Sequence, residues 1–127
     1  MQLELGVLEE AEASGRSARI YYEQMQDRLG LAECHKVEGT IGREQTNYAE
    51  AEARLAQARQ AFQALDNPLG VAECDLELGL VRQRRSDLSG ARACWQGAFE
   101  RFEQIGAVHQ IRKAQTLLAT LEARAAI

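Results

Sequence analysis

A six-residue phrase occurs twice in this sequence, as LGLAEC at residues 29–34 and as LGVAEC at residues 69–74. The agreement extends beyond the phrase, since Gly39 aligns with Gly79 at the same offset of forty residues. Self-similarity at a period of 20 to 50 residues is typical of repeat folds, whose units bury their apolar faces only against a neighbouring copy. The repeat therefore predicts an array of similar units within the 127 residues of the chain.

Each period divides into two amphipathic halves. Apolar residues recur every three or four positions in both halves, as at Val71, Cys74 and Leu78, and again at Ala91 and Trp95, which is the period of an α-helix. Strong helix formers dominate the composition and β-branched residues are sparse. The sequence therefore predicts an all-α fold with helices over residues 2–13, 16–27, 30–45, 48–65, 70–85, 88–104 and 108–125.

Two glycines, Gly39 and Gly79, fall in the middle of predicted helices. Glycine costs about 1 kcal/mol relative to alanine at such a position, so we expect a compensating close approach of the facing helix. Small residues are expected opposite them, and large residues are expected to fill the core between helices. The alanines are Ala51, Ala58, Ala91 and Ala98, and the core anchors are Tyr22, Phe62, Trp95 and Phe102.

The helix pairs resemble the tetratricopeptide repeat family, in its long-helix form of about 40 residues. That family has a Leu-Gly pair in the first helix and Ala-x3-aromatic in the second, with a proline near the exit. Here Leu78-Gly79 is followed by Ala91-x3-Trp95, and Pro68 stands at the exit of the preceding copy.

The beginning of the chain shows the same resemblance. Leu5-Gly6 supplies the pair and Ala18-x3-Tyr22 supplies the second helix, across a turn predicted at Ser14-Gly15. The resemblance implies a single domain, an α-solenoid of about three antiparallel helix pairs with a C-terminal closing helix, wound as a right-handed superhelix. Its units would be residues 1–29, 30–69, 70–107 and 108–127. The competing fold is a helical bundle without superhelical order.

In this family the first helices of successive units line a concave groove that binds a peptide or helix. The positions two before the Leu-Gly pair and one after its glycine usually face it, together with flanking polar residues. Carried onto this sequence, the groove residues are Lys36, Thr40, Arg43, Leu76, Leu80, Gln83, Thr116 and Thr120, with Leu3 and Val7 in the opening helix. The competing interpretation of Leu76 and Leu80 is that a neighbouring helix covers them.

The charge pattern argues against nucleic acid and membranes as partners. The net charge is -4, and the dense basic run VRQRR at residues 81–85 is expected at a helix end, where cations complement the helix dipole. No stretch approaches the length of an apolar membrane helix, and the acidic N-terminus is unlike a signal peptide. We therefore expect a cytoplasmic protein.

Few residues are spaced for catalysis. His35 and His109 are the only histidines, and Cys34 and Cys74 hold equivalent places in the repeat, where small buried packing residues are expected. No zinc spacing or phosphate loop occurs, so we expect no metal, no cofactor and no enzymatic activity. The alternative is a hydrolase or transferase with a deep polar pocket around one of the two histidines.

The sequence thus predicts a scaffold that binds another protein without catalysis. An alternative is a regulatory module of a larger signalling protein that self-associates through apolar end faces. A solenoid needs polar caps at its ends, whereas the two ends of this chain carry apolar residues. The apolar residues of those ends are Leu3, Leu5, Val7, Leu8, Leu117, Leu118, Leu121 and Ile127.

Overall fold

The computed structural model describes the backbone of residues 2–125 and the side chains of residues 9–124. Within that range the chain is helical with no strand, which confirms the all-α prediction. Five of the seven predicted helices agree with the observed ones to within two residues at each end. The helices are α1 Gln2–Gln24, α2 Arg28–Glu44, α3 Tyr48–Ala64, α4 Pro68–Arg84, α5 Leu88–Ile105 and α6 Val108–Ala125.

The turns between helices share one backbone pattern, repeated every twenty residues. Each of the helices α2 to α6 begins two residues after a position with positive φ, between 53° and 79°. Only the last of these positions is a glycine, and the left-handed conformation is uncommon for the other residue types. These positions are Gln26, Thr46, Asp66, Ser86 and Gly106.

An Asp or Asn follows the left-handed residue in four of these turns. The side chains of Asp27, Asn67 and Asp87 each accept a hydrogen bond from the backbone N–H three residues later, which belongs to a glycine in every case. Such caps satisfy N–H groups that the first helical turn leaves without a partner. Asn47 makes no side-chain cap, and Glu50 occupies the position of the glycine.

One predicted turn is wrong. The turn predicted at Ser14-Gly15 is absent, because α1 runs unbroken through it. One glycine costs a helix only about 1 kcal/mol, and the pair of Glu12 with Arg16, at 2.9 Å, spans the position. Pro68, at the exit of the preceding copy, follows the end of α3 and is the first residue of α4, where proline loses no helical hydrogen bond.

The described chain divides into two compact units, the first ending at Asp66 and the second beginning at Asn67. In the first unit α2 packs against both α1 and α3, and in the second α5 packs against both α4 and α6. The division lies three residues from the boundary predicted between units 30–69 and 70–107. The first unit contains α1 with α2 and α3, and the second contains α4 with α5 and α6.

Close helix approach at the two glycines is confirmed. A Cβ on Gly39 would lie 2.5 Å from Leu55 Cγ, and a Cβ on Gly79 would lie 2.2 Å from Trp95 Nε1. The Trp95 indole N–H donates to the carbonyl oxygen of Leu76 at 3.0 Å. The side chains against these two glycines are the large ones of Leu55 and Trp95 and not the alanines expected there. Those alanines, Ala51, Ala58, Ala91 and Ala98, are fully buried.

The predicted anchors fill the two units. Phe62, Phe102 and Trp95 are fully buried. Tyr22 is only partly buried, but its ring covers Gly30, where a Cβ would come within 2.5 Å of it. Tyr22 therefore holds the end of α1 against the start of α2.

Candidate interaction surfaces

Three of the predicted groove residues share one side of α2 in the first unit. Lys36, Thr40 and Arg43 are all partly buried and already make local contacts. The Lys36 ammonium lies 3.2 Å from the Glu33 carboxylate and 5.8 Å from the centroid of the Phe62 ring. The Thr40 hydroxyl donates to the carbonyl of Lys36 at 3.2 Å, and Arg43 lies 3.4 Å from the glutamate that follows it.

Three more of the predicted groove residues lie on α4 in the second unit. The apolar two, Leu76 and Leu80, pack in or against the core of that unit. Leu76 is only 4% exposed and belongs to the core that surrounds Trp95 and Leu121. Leu80 is half-buried and packs against the same core, and Gln83 is partly buried. Leu76 is therefore covered by neighbouring helices, which corrects its assignment to a partner-binding strip.

The last two predicted groove residues, Thr116 and Thr120, are exposed on α6. Their hydroxyls donate to carbonyls of their own helix, from Thr116 to Arg112 at 2.9 Å and from Thr120 to Thr116 at 3.3 Å. The eight predicted residues thus lie on three helices of two units. Leu3 and Val7 lie outside the side chains that the structure describes.

Cys34 and Cys74 are packing residues of the two units. Cys74 is fully buried and Cys34 is nearly so. Burial raises the pKa of the Cys34 thiol, and the nearby Glu38 carboxylate raises it further. A protonated, buried thiol is a poor nucleophile, so Cys34 has the character of a core residue.

His35 is buried in the first unit, and His109 is exposed on α6. His35 is 6% exposed and its Nδ1 has no hydrogen-bond partner. Burial lowers the pKa of His35, an effect that Glu38 opposes and Arg54 reinforces. Among the described residues, no three His, Cys, Asp or Glu side chains are grouped so that they could hold a metal ion.

The lowered pKa of His35 predicts a pH dependence of folding. As pH falls below the ordinary value of 6.5, the unfolded chain takes up a proton that folded His35 resists, so stability is lost with falling pH. His35→Gln should reduce this loss, measured by urea unfolding at about pH 7.5 and about pH 5. His109→Gln is the matched control and should retain the wild-type dependence. If the stability of His35→Gln depended on pH as the wild type's does, protonation of His35 would not destabilise the folded state.

A charged cleft of about 220 Å³ lies among α1, α2 and α3 of the first unit. Its floor includes Ile41 and Gly42, and amide side chains come from Gln45 and Asn47. The Gln45 amide donates to the Glu12 carboxylate at 3.1 Å. Three ion pairs line the walls: Arg16–Glu12 at 2.9 Å, Arg19–Glu38 at 3.2 Å and Arg54–Glu50 at 3.0 Å.

Three of the charged residues of this cleft differ from their counterparts in the second copy of the repeat. At the offset of forty residues, Glu38, Glu50 and Arg54 correspond to Leu78, Gly90 and Cys94. The fold of the second copy forms without these charged residues. Glu50 takes the place of a glycine whose backbone N–H, in the second copy, donates to the capping aspartate. The signal for this cleft in the sequence is the set of positions at which the two copies differ.

Exposed apolar side chains are concentrated in the hairpin of α1 and α2. Five of the nine large apolar residues exposed in the described part of the chain lie here. Tyr21 and Met25 are the most exposed of the five, at 57% and 61%. The five residues, which we call the hairpin surface, are Ile20, Tyr21, Met25, Leu29 and Val37.

No protein-family model matches the sequence, and no curated protein matches it either. None of the helices in the described range is both long enough and apolar enough to cross a membrane.

Proposed function

We propose that the chain is a non-catalytic binding module for another protein and that the hairpin surface is its main contact. The concentration of exposed apolar side chains in one hairpin is the observation that carries this proposal. Exposed apolar patches commonly mark interaction sites, and tyrosine and methionine are enriched at protein interfaces.

The hairpin is held in a fixed shape before any partner arrives. Tyr22 covers Gly30, and the ion pair of Arg19 with Glu38 joins α1 to α2 with both side chains largely buried. A surface that is already ordered loses little conformational entropy on binding. The hairpin therefore supports recognition by a rigid face.

The partner that suits this surface is an apolar helix face or extended peptide carrying a few acidic groups. Val37 is exposed next to Lys36 on α2, and the predicted groove residues Thr40 and Arg43 follow on the same helix. The resemblance to tetratricopeptide repeats favours the same class of function, and the superhelix with its concave groove remains part of the proposal.

The test compares two matched double variants in affinity capture, followed by titration of the captured partner. Tyr21→Ser with Met25→Ser should weaken binding by about tenfold or more, because central apolar and aromatic contacts dominate interface energies. Ile105→Ser with Val108→Ser removes comparable exposed residues from the second unit and should bind as the wild type does. Equal affinities of the two variants would contradict the proposal.

The second candidate is self-association of the module within a larger signalling protein. Of its predicted end-face residues, Leu121 is buried, and Leu117 and Leu118 are half-buried against the second unit's core. The others, Leu3, Leu5, Val7, Leu8 and Ile127, lie outside the described side chains. If the molar mass of the wild type doubles as its concentration rises, while the Tyr21→Ser, Met25→Ser variant stays monomeric, the hairpin surface is a dimer contact.

A further inference from the structure

One end of the second unit gathers positive charge in a chain whose net charge is -4. It is formed by the end of α4, the start of α5 and the end of α6, which runs back along α5 after the turn at Gly106. Five of the fifteen basic residues lie here, in the basic run that the sequence placed at a helix end and on the two helices beside it. They are Arg82, Arg84, Arg85, Arg92 and Arg124.

The acidic groups at this end are few. Asp87 accepts hydrogen bonds from the Gly90 N–H at 3.0 Å and from the Arg82 guanidinium at 3.0 Å. These bonds lower the pKa of Asp87, so its carboxylate is ionised and already engaged. Among the described residues, Glu122 on α6 is the other carboxylate near these helix ends. The described residues of this end thus include more arginines than carboxylates.

A pocket of about 440 Å³ opens between the start of α5 and the end of α6. Leu88, half-exposed, and Leu121, buried, form its apolar floor, and Ser89, Arg92 and Arg124 complete its lining. Both arginines are exposed. Neither has an ion-pair partner among the residues whose side chains the structure describes.

We propose that this pocket binds an acidic segment of a partner protein. An apolar side chain of that segment lies against Leu88 and Leu121, and its flanking carboxylates pair with Arg92 and Arg124. Arginine matches carboxylates with paired hydrogen bonds, and an apolar anchor inside a charged rim is the usual anatomy of a protein interface. The surface is separate from the hairpin surface and does not depend on that proposal.

Protein fits this pocket better than nucleic acid does. The floor consists of two leucines, and none of the lining residues is aromatic, so it offers no platform on which bases could stack. The overall negative charge also opposes a phosphate polymer extending beyond the pocket. An acidic peptide needs only local positive charge.

The test is fluorescence anisotropy of the full chain with a labelled acidic peptide in which one leucine is flanked by aspartates and glutamates. Arg92→Glu with Arg124→Glu should weaken its binding by about tenfold or more. Arg112→Glu with Lys113→Glu changes the net charge equally, at two exposed positions of α6 outside the pocket, and should weaken binding by less than about twofold. Far-UV circular dichroism should show both variants folded.

A third variant separates the apolar anchor from the charge. Leu88→Ser keeps every arginine and should weaken binding of the peptide by about threefold or more. Absence of peptide binding to the wild type, equal losses in the two charge variants, or equally effective competition by a single-stranded oligonucleotide would overturn the proposal.

Discussion

Leu76→Glu should lower the free energy of unfolding by about 3 to 5 kcal/mol, enough to unfold the second unit, because it places an unpaired charge in a packed core. Leu76 is 4% exposed and shares its cluster with Trp95, Ala98 and Phe102. Trp95 is the single tryptophan of the chain, so its fluorescence during urea unfolding reports directly on this unit.

The control for this variant is Thr116→Glu. Thr116 is exposed on α6, and a charged residue there should change the free energy of unfolding by less than about 0.5 kcal/mol. If Leu76→Glu instead unfolded at the wild-type urea concentration, Leu76 would belong to the surface. The groove predicted from the sequence would then be restored.

Gly79→Ala should cost about 1 to 3 kcal/mol, although alanine is the better helix former, because overpacking outweighs propensity at this site. The added Cβ would lie 2.2 Å from the Trp95 indole nitrogen and 2.4 Å from Trp95 Cδ1. The indole cannot withdraw freely, since it is fully buried and donates to the carbonyl of Leu76.

Gly97→Ala is the matched control, with the opposite sign. Gly97 lies inside α5, and a Cβ there would meet only the end of the Arg101 side chain at 3.7 Å. This change should raise the free energy of unfolding by up to about 1 kcal/mol through helix propensity alone. If Gly79→Ala also raised the free energy of unfolding in the same urea titration, the Trp95 side chain would move away from the added Cβ at little cost.

Much of the framework could be predicted from particular residues. The small residues Gly39 and Gly79 implied close approach, and the structure places Leu55 and Trp95 against them. The long side chains of Phe62 and Phe102 are buried as expected. Such inferences succeed because helix period and residue volume act locally and leave a regular trace in the sequence.

The errors arise where two local signals compete. Ser14-Gly15 resembles a turn, yet four of the five turns between helices have a left-handed residue followed by Asp or Asn, as at Gln26-Asp27. That pattern is absent at Ser14-Gly15, and the helix continues. Asp or Asn recurs at intervals of twenty residues, at positions 27, 47, 67 and 87, and could have located four of the five helix starts after α1.

The candidate surfaces depended on contacts between helices that sequence spacing does not reveal. Leu76 and Leu80 occupy neighbouring turns of α4, but only packing against α5 and α6 shows that Leu76 is covered. The pocket joins Leu88 to Leu121 across a gap of more than thirty residues.

The sequence by itself determined the helices, their period and the residues that fill the core, since these follow from local periodicity and side-chain volume. Only the tertiary structure decided the grouping of helices into two units, the burial of Leu76, and the meeting of Arg92 with Arg124 beside an apolar floor. The physical reason is that burial and charge clustering are sums over neighbours from different helices.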